Sequence, residues 1–267
     1  MIGIFDSGVG GISVVKEIIK TLPEYQIVYF GDTARLPYGT KGANFVKEYS
    51  EKITEWLLNE ENAKIIVIAC NTSSAWASDF LKEKFKNVKI FEMITPVIPD
   101  ILSATKNKKI GIIGTPGTIK SNAYQNKLLK KDPSIKIFSA SCPLLVPLVE
   151  EGLTDDKITL QITKKYIKPL KDKGIDTLVL GCTHYPLLKK IIEKIVGPKV
   201  KIINPAESLS QEIKKYLEEN PKIKNEIKKG REHKFYFSDE PYNFKKISSL
   251  CFNKKIGKII KDPFSNE

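Results

Sequence analysis

Short apolar runs alternate with stretches of helical periodicity from one end of the chain to the other. Ile2 to Phe5 and Ile27 to Phe30 read as strands, and between them Ile12, Val15, Ile18, Ile19 and Leu22 recur at helix spacing. Phe45, Tyr49, Ile53, Trp56 and Leu57 mark the apolar face of a second helix, followed by a strand at Ile65 to Ala69. A helix through Trp76 and Phe80 and a strand from Val88 to Phe91 complete the series. This βαβαβ rhythm predicts a mainly parallel sheet with helices on both faces.

The second half repeats the first. Ile2-Gly3-Ile4-Phe5-Asp6-Ser7-Gly8 resembles Ile110-Gly111-Ile112-Ile113-Gly114-Thr115-Pro116-Gly117, and the run ending at Cys70-Asn71-Thr72 resembles the one ending at Cys182-Thr183-His184. Ile94-Thr95-Pro96 likewise resembles Ile203-Asn204-Pro205. The three pairs keep their order at a nearly constant offset of about 110 residues, the mark of a duplicated unit. Two similar, mainly parallel α/β domains related by pseudo-twofold symmetry are therefore expected, with the active site in the cleft between them. Their bounds are 1–95 and 96–204. The segment 205–267, with a helix near Ala206 to Leu217 and a strand at Lys234 to Ser238, is expected to pack back on the first domain.

In such sheets ligands bind beyond the carboxyl ends of the strands. Asp6-Ser7-Gly8, Gly31-Asp32-Thr33, Cys70-Asn71-Thr72, Gly114-Thr115-Pro116-Gly117 and Cys182-Thr183-His184 all fall there. The Gly-rich stretch Asp6 to Gly11 departs from the dinucleotide pattern, because Ser13 stands where the third Gly or Ala belongs. Its glycines still allow backbone N–H groups to approach an anion at a helix start, and a carboxylate would suit. Cys70 ends a strand and opens a helix, a setting that acidifies a thiol, and Cys182 has the same context with Pro186 near its helix start. If the backbone there is extended, Cys182 and His184 point to the same side.

A zinc site at Cys182 and His184 lacks a C-x-x-C partner, and a Cys/His hydrolase leaves the second Cys unexplained. Two equivalent thiols facing one cleft suit proton removal from one side of a carbon and delivery from the other.

Composition narrows the alternatives. With 41% hydrophobic residues in 267, the chain can bury proper cores, and no apolar run approaches the ~18 residues that span a bilayer. Met1 runs directly into an apolar strand, so a cytoplasmic location is expected and disulfides are not. Cys142 and Cys251 read as buried small hydrophobes. The formal charge of +13 is almost all lysine, since Arg occurs only at 35 and 231. Such a surface reads as solvated rather than as a nucleic-acid reader, although it can steer an anionic substrate inward.

At these motifs the chain resembles the glutamate racemases of the aspartate/glutamate racemase superfamily. The carrying stretches are Phe5 to Gly11, Gly31 to Gly39, Ala69 to Ser74 and Gly181 to Leu187, in family order. The resemblance implies interconversion of L- and D-glutamate with no pyridoxal phosphate or metal, supplying D-glutamate for peptidoglycan. It implies Cys70 and Cys182 as the catalytic thiols, the first acting on D-glutamate and the second on L-glutamate. Asp6 would assist Cys70 and His184 would assist Cys182. Ser7, Tyr38, Gly39, Asn71, Thr72 and Thr183 would hold the substrate together with Asp6 and His184. Asp32, Thr115 and an acid at Glu150 or Glu151 would support them. No nucleic-acid or membrane partner is implied, and a homodimer is expected. A racemase for aspartate is the alternative within the same class.

Overall fold

The computed structural model describes residues 1–240 and the short strand at 259–260. Its first half runs β1 (Ile2–Asp6), α1 (Ile12–Thr21), β2 (Ile27–Gly31), α2 (Ala43–Asn59), β3 (Ile65–Ile68), α3 (Asn71–Lys84) and β4 (Lys89–Glu92). The chain continues through α4 (Ile98–Ala104) to β5 (Lys109–Gly114), α5 (Pro116–Lys120), α6 (Ala123–Lys131) and β6 (Lys136–Ser141). Helices α7 (Leu145–Glu150) and α8 (Lys157–Asp172) lead to β7 (Thr177–Gly181), α9 (Lys189–Val196) and β8 (Lys201–Ile203). The last described elements are α10 (Pro205–Glu219), α11 (Pro221–Glu226), β9 (Lys234–Phe237) and β10 (Ile259–Ile260).

Two sheets result. One has the order β10-β9-β2-β1-β3-β4 and the other β6-β5-β7-β8, and every pairing within them is parallel. The repeat seen in the sequence is thus a repeat of topology. Each half places its first strand in the centre, its second on one side, and its third and fourth on the other. The predicted α/β class with two similar parallel sheets is what the chain adopts.

Helices on both faces require strands that are apolar on both sides. In β3, Ile65 and Val67 enter the core shared with α1 and α10, while Ile66 and Ile68 enter the core under α2 and α3. In the second sheet, Ile112 and Val179 face one core, and Ile113, Leu178 and Leu180 face the other. The period of two divides each strand between opposite layers.

After β8 the chain returns to the first sheet. Leu209, Ile213 and Leu217 of α10 join the core of α1, and β9 pairs with β2 along Val28 to Gly31. Glu61, buried, accepts from Lys234 Nζ at 2.7 Å and from the Tyr236 hydroxyl, fastening β9 from behind. Phe235 stacks at 45° on Tyr29 with ring centroids 5.9 Å apart.

Among the described residues no helix is long and apolar enough to cross a membrane. Cys142 is buried among apolar side chains, and Cys70, Cys142 and Cys182 are free thiols. Cys251 lies outside the described residues.

Because β9 supplies core contacts to the first sheet, Phe235→Ala is expected to cost about 3–5 kcal/mol, as for other large aromatics removed from a core. Urea unfolding measures this; a loss under about 1 kcal/mol would mark β9 as peripheral.

Candidate active site

The carboxyl ends of the two sheets face each other, and each delivers one thiol. Cys70 follows β3 in extended backbone and N-caps α3, its sulfur accepting from Ser73 N–H at 3.5 Å. The thiol in turn reaches Ser7 Oγ at 3.6 Å, just beyond β1. The expected acidification does not prevail. Burial, and then the charge of Asp6, push the Cys70 thiol up to about 11, with the Ser73 N–H and Ser7 offsetting only part. A helix terminus contributes about 0.3–1 kcal/mol, less than desolvating a thiolate costs.

Cys182 sits differently. No α-helix begins beside it: Tyr185–Leu188 forms a 3-10 turn, and α9 starts only at Lys189. Nor is the backbone extended, since His184 has helical angles of −79° and −28°. The two side chains still meet, with Cys182 Sγ 3.7 Å from His184 Nδ1. On the other ring edge, Nε2 lies 2.5 Å from Glu150 Oε1. Glu150 at the end of α7 is therefore the acid that reaches the site, while Glu151 is exposed. Burial alone would pull the His184 imidazolium down. The hydrogen bonds and charges of Cys182 and Glu150 outweigh it and hold the group well above its ordinary 6.5.

Asp6, the last residue of β1, lies close enough for its charge to act on Cys70 and His184. Its Oδ2 accepts from Gly8 N–H at 3.1 Å and Gly11 N–H at 3.0 Å, so the Gly-rich loop wraps the protein's own carboxylate. Those two N–H groups are therefore taken by Asp6. Oδ1 faces Thr183 Oγ1 at 3.4 Å, across the junction between the sheets. Gly10 makes that approach possible, because a Cβ there would lie 2.4 Å from His184 Cε1 and 2.6 Å from Thr183 Oγ1. Burial lifts the Asp6 carboxyl from 3.8 to about 6, against the opposing charge of His184 and the N–H groups of Gly11 and Gly8.

One small cavity lies at this junction. Ser7, Gly39, Cys70, Asn71, Thr72, Thr115, Cys182, Thr183 and His184 line it. Cys70 and Cys182 are 5% and 6% exposed, open to the cavity but almost closed to solvent. Thr72 and Thr115 meet at 2.9 Å, joining α3 to the turn that starts α5, and Gly39 packs so closely on Thr115 that a Cβ would clash at 2.4 Å.

Asp6, Tyr38, Asp32 and Glu150 stand behind this wall rather than in it. Asp32 gathers Arg35 Nη1 at 2.7 Å, the Tyr38 hydroxyl at 2.5 Å and Ser238 Oγ at 2.6 Å, which shapes the loop carrying Gly39. Tyr38 packs beside Cys70.

Leu36, Pro37 and Val146 also line the cavity and were not singled out from the sequence. Leu36 and Pro37 lie within a motif already recognised, so their neighbours carried the signal. Val146 had none; it arrives on α7 from a remote segment. Among the described residues no group of three or more His, Cys, Asp and Glu is placed to hold a metal ion.

Residues 2–213 match the Asp/Glu/hydantoin racemase family. This chain belongs to that family. It is 40% identical over 258 residues to a glutamate racemase from Geobacter metallireducens, covering 97% of this chain and 94% of the relative. A crystal structure of a glutamate racemase isoform from Bacillus anthracis superimposes with a TM-score of 0.90 at 35% identity, covering 99% of this chain and 97% of the other. A glutamate racemase from Francisella tularensis, solved in complex with D-glutamate, superimposes with a TM-score of 0.90 at 37% identity, covering 100% and 98%.

The raised Asp6 carboxyl gives a stability prediction with a definite sign. Its folded value of about 6 exceeds the ordinary 3.8, so its contribution to stability is full below pH 3.8 and lost as pH rises through 6. Asp6→Asn keeps an acceptor for Gly8 and Gly11 without the charge. It should therefore be more stable than the unmodified protein at pH 8, by up to about 3 kcal/mol, with the difference fading below pH 4. Urea midpoints at the two pH values check this; a variant less stable at pH 8 would show the charge to be well compensated.

Proposed function

We propose that this enzyme interconverts L- and D-glutamate by a two-thiol proton transfer at Cα. The observation that carries the proposal is the meeting of Cys70 and Cys182, from equivalent strand ends of two sheets, at one cavity. The family supports racemisation, and relatives that bear the name glutamate racemase support glutamate as substrate.

With D-glutamate bound, the Cys70 thiolate takes the Cα proton while the Cys182 thiol gives its proton to the opposite face. The C–H bond broken at one sulfur is replaced by the C–H bond formed from the other. L-glutamate leaves, with Cys70 protonated and Cys182 ionised. The reverse direction exchanges the roles. Because the charge of Asp6 raises the Cys70 thiol, a proton passed from Cys70 to Asp6 removes the repulsion that opposes the thiolate. His184, whose imidazolium form is favoured by its contacts with Cys182 and Glu150, stands beside the Cys182 sulfur and restores its proton. The hydroxyls of Ser7, Thr72, Thr115 and Thr183 and the Gly39 backbone supply donors for the two carboxylates, and those at the α-carboxylate stabilise the charge that builds there, while the Asn71 amide binds a carboxylate equally in ground and transition state. Asp32 and Tyr38 hold the loop of Gly39 in place. The reading needs no pyridoxal phosphate or metal, and its D-glutamate would serve peptidoglycan synthesis in the cytoplasm.

Each enantiomer of glutamate, incubated in heavy water, should acquire deuterium at Cα as it racemises. Cys70→Ala and Cys182→Ala should each lower turnover by about 10³-fold or more, since thiols that act as a pair fail together. Racemisation without solvent label, or unchanged turnover in Cys182→Ala, would sink the two-thiol reading. A chain that turns over aspartate and not glutamate, measured by chiral chromatography, would overturn the substrate.

A further inference from the structure

Tyr124 on α6 is fully buried, and its hydroxyl donates to Asn71 Oδ1 at 2.7 Å. Asn71 opens α3, belongs to the other sheet, and lines the cavity at 2% exposure. Its Nδ2 is buried and has no hydrogen-bond partner among the described residues. A buried amide N–H₂ without an acceptor is costly, and it is the kind of group a ligand satisfies.

The orientation of that amide is decided by the tyrosine. A phenol must place its own proton on an acceptor, and Asn71 Oδ1 receives it. Turning the amide over would oppose Nδ2 to the hydroxyl, strand the phenol proton in the core, and present a carbonyl oxygen to the cavity. A carbonyl facing a carboxylate repels it. Tyr124 therefore selects between a cavity wall that donates and one that accepts.

We propose that Tyr124 is a positioning residue for the racemase: its hydroxyl locks the Asn71 side chain so that Nδ2 faces a carboxylate of the bound amino acid. The inference rests on the glutamate racemase reading given above. Tyr124 itself does not touch the substrate. Its other duty, apposing the two sheets, is shared with Ser13 to the Thr183 carbonyl at 2.8 Å and Trp76 Nε1 to the Gly117 carbonyl at 3.1 Å. Loss of one hydroxyl therefore leaves the junction closed.

Tyr124→Phe keeps the ring and removes only the oxygen. It should raise KM for D-glutamate about tenfold while kcat stays within about twofold, because the lost donor holds substrate and transition state alike. The loss must act through Asn71. Adding Tyr124→Phe to Asn71→Ala should thus change kcat/KM by less than about twofold, whereas a packing defect would persist in full. An unchanged KM in Tyr124→Phe, or a tenfold loss that survives in the Asn71→Ala background, would overturn the role of Tyr124 alone. An unmodified protein that does not racemise glutamate would overturn the reading beneath it as well.

Discussion

A single buried carboxylate ties the site together. Asp6 accepts two N–H groups from its own Gly-rich loop, faces a hydroxyl from the opposite sheet, and lies close enough for its charge to act on Cys70 and His184. The loop can fold this tightly because its anion is built into the chain. That compactness lets Gly10 come against His184 and Thr183, and through them the two sheets share one cavity. The cost is a carboxyl lifted to about 6 and a thiol lifted to about 11. Burial thus favours the neutral form of both groups more than water would.

The duplicated scaffold does not produce a symmetric site. Cys70 caps a helix and leans on a neutral serine, whereas Cys182 follows a strand into a 3-10 turn and leans on a histidine backed by an acid. Burial and the charge of Asp6 oppose ionisation of the Cys70 thiol, whereas the immediate neighbour of Cys182 is an imidazole backed by Glu150. On the two-thiol reading proposed above, the two directions of proton transfer start from unequal surroundings, and equal rates for the two enantiomers are not required by the fold.

A second buried acid, Asp32, does for the loop what Asp6 does for the centre. It sits just past β2 and receives Arg35, Tyr38 and Ser238, so the segment beyond β9 helps to shape the wall that carries Gly39. The corresponding place past β6 in the second half is Cys142, whose carbonyl accepts from the Tyr185 hydroxyl at 3.1 Å. Among the described residues no strand from the chain's end pairs with that edge.

The sequence by itself determined the first half's strands, their recurrence in the second half, and the matching places of Cys70 and Cys182, because period-two and helical patterning and an internal repeat are legible along the chain; the edge strand β6 was not among them. Only the tertiary structure decided the surroundings of those thiols. Burial and a neighbouring charge outweighed the helix terminus at Cys70, and a 3-10 turn replaced the helix expected beside Cys182. Neither effect is written in nearest neighbours. Val146, Tyr124 and Ser238 reached the site or its supports from segments far away in the chain. The choice of Glu150 over Glu151 likewise came from which carboxylate α7 turns toward His184. Patterning dictates which elements form; desolvation and long-range contact, which depend on what packs against each residue, dictate what their side chains can do.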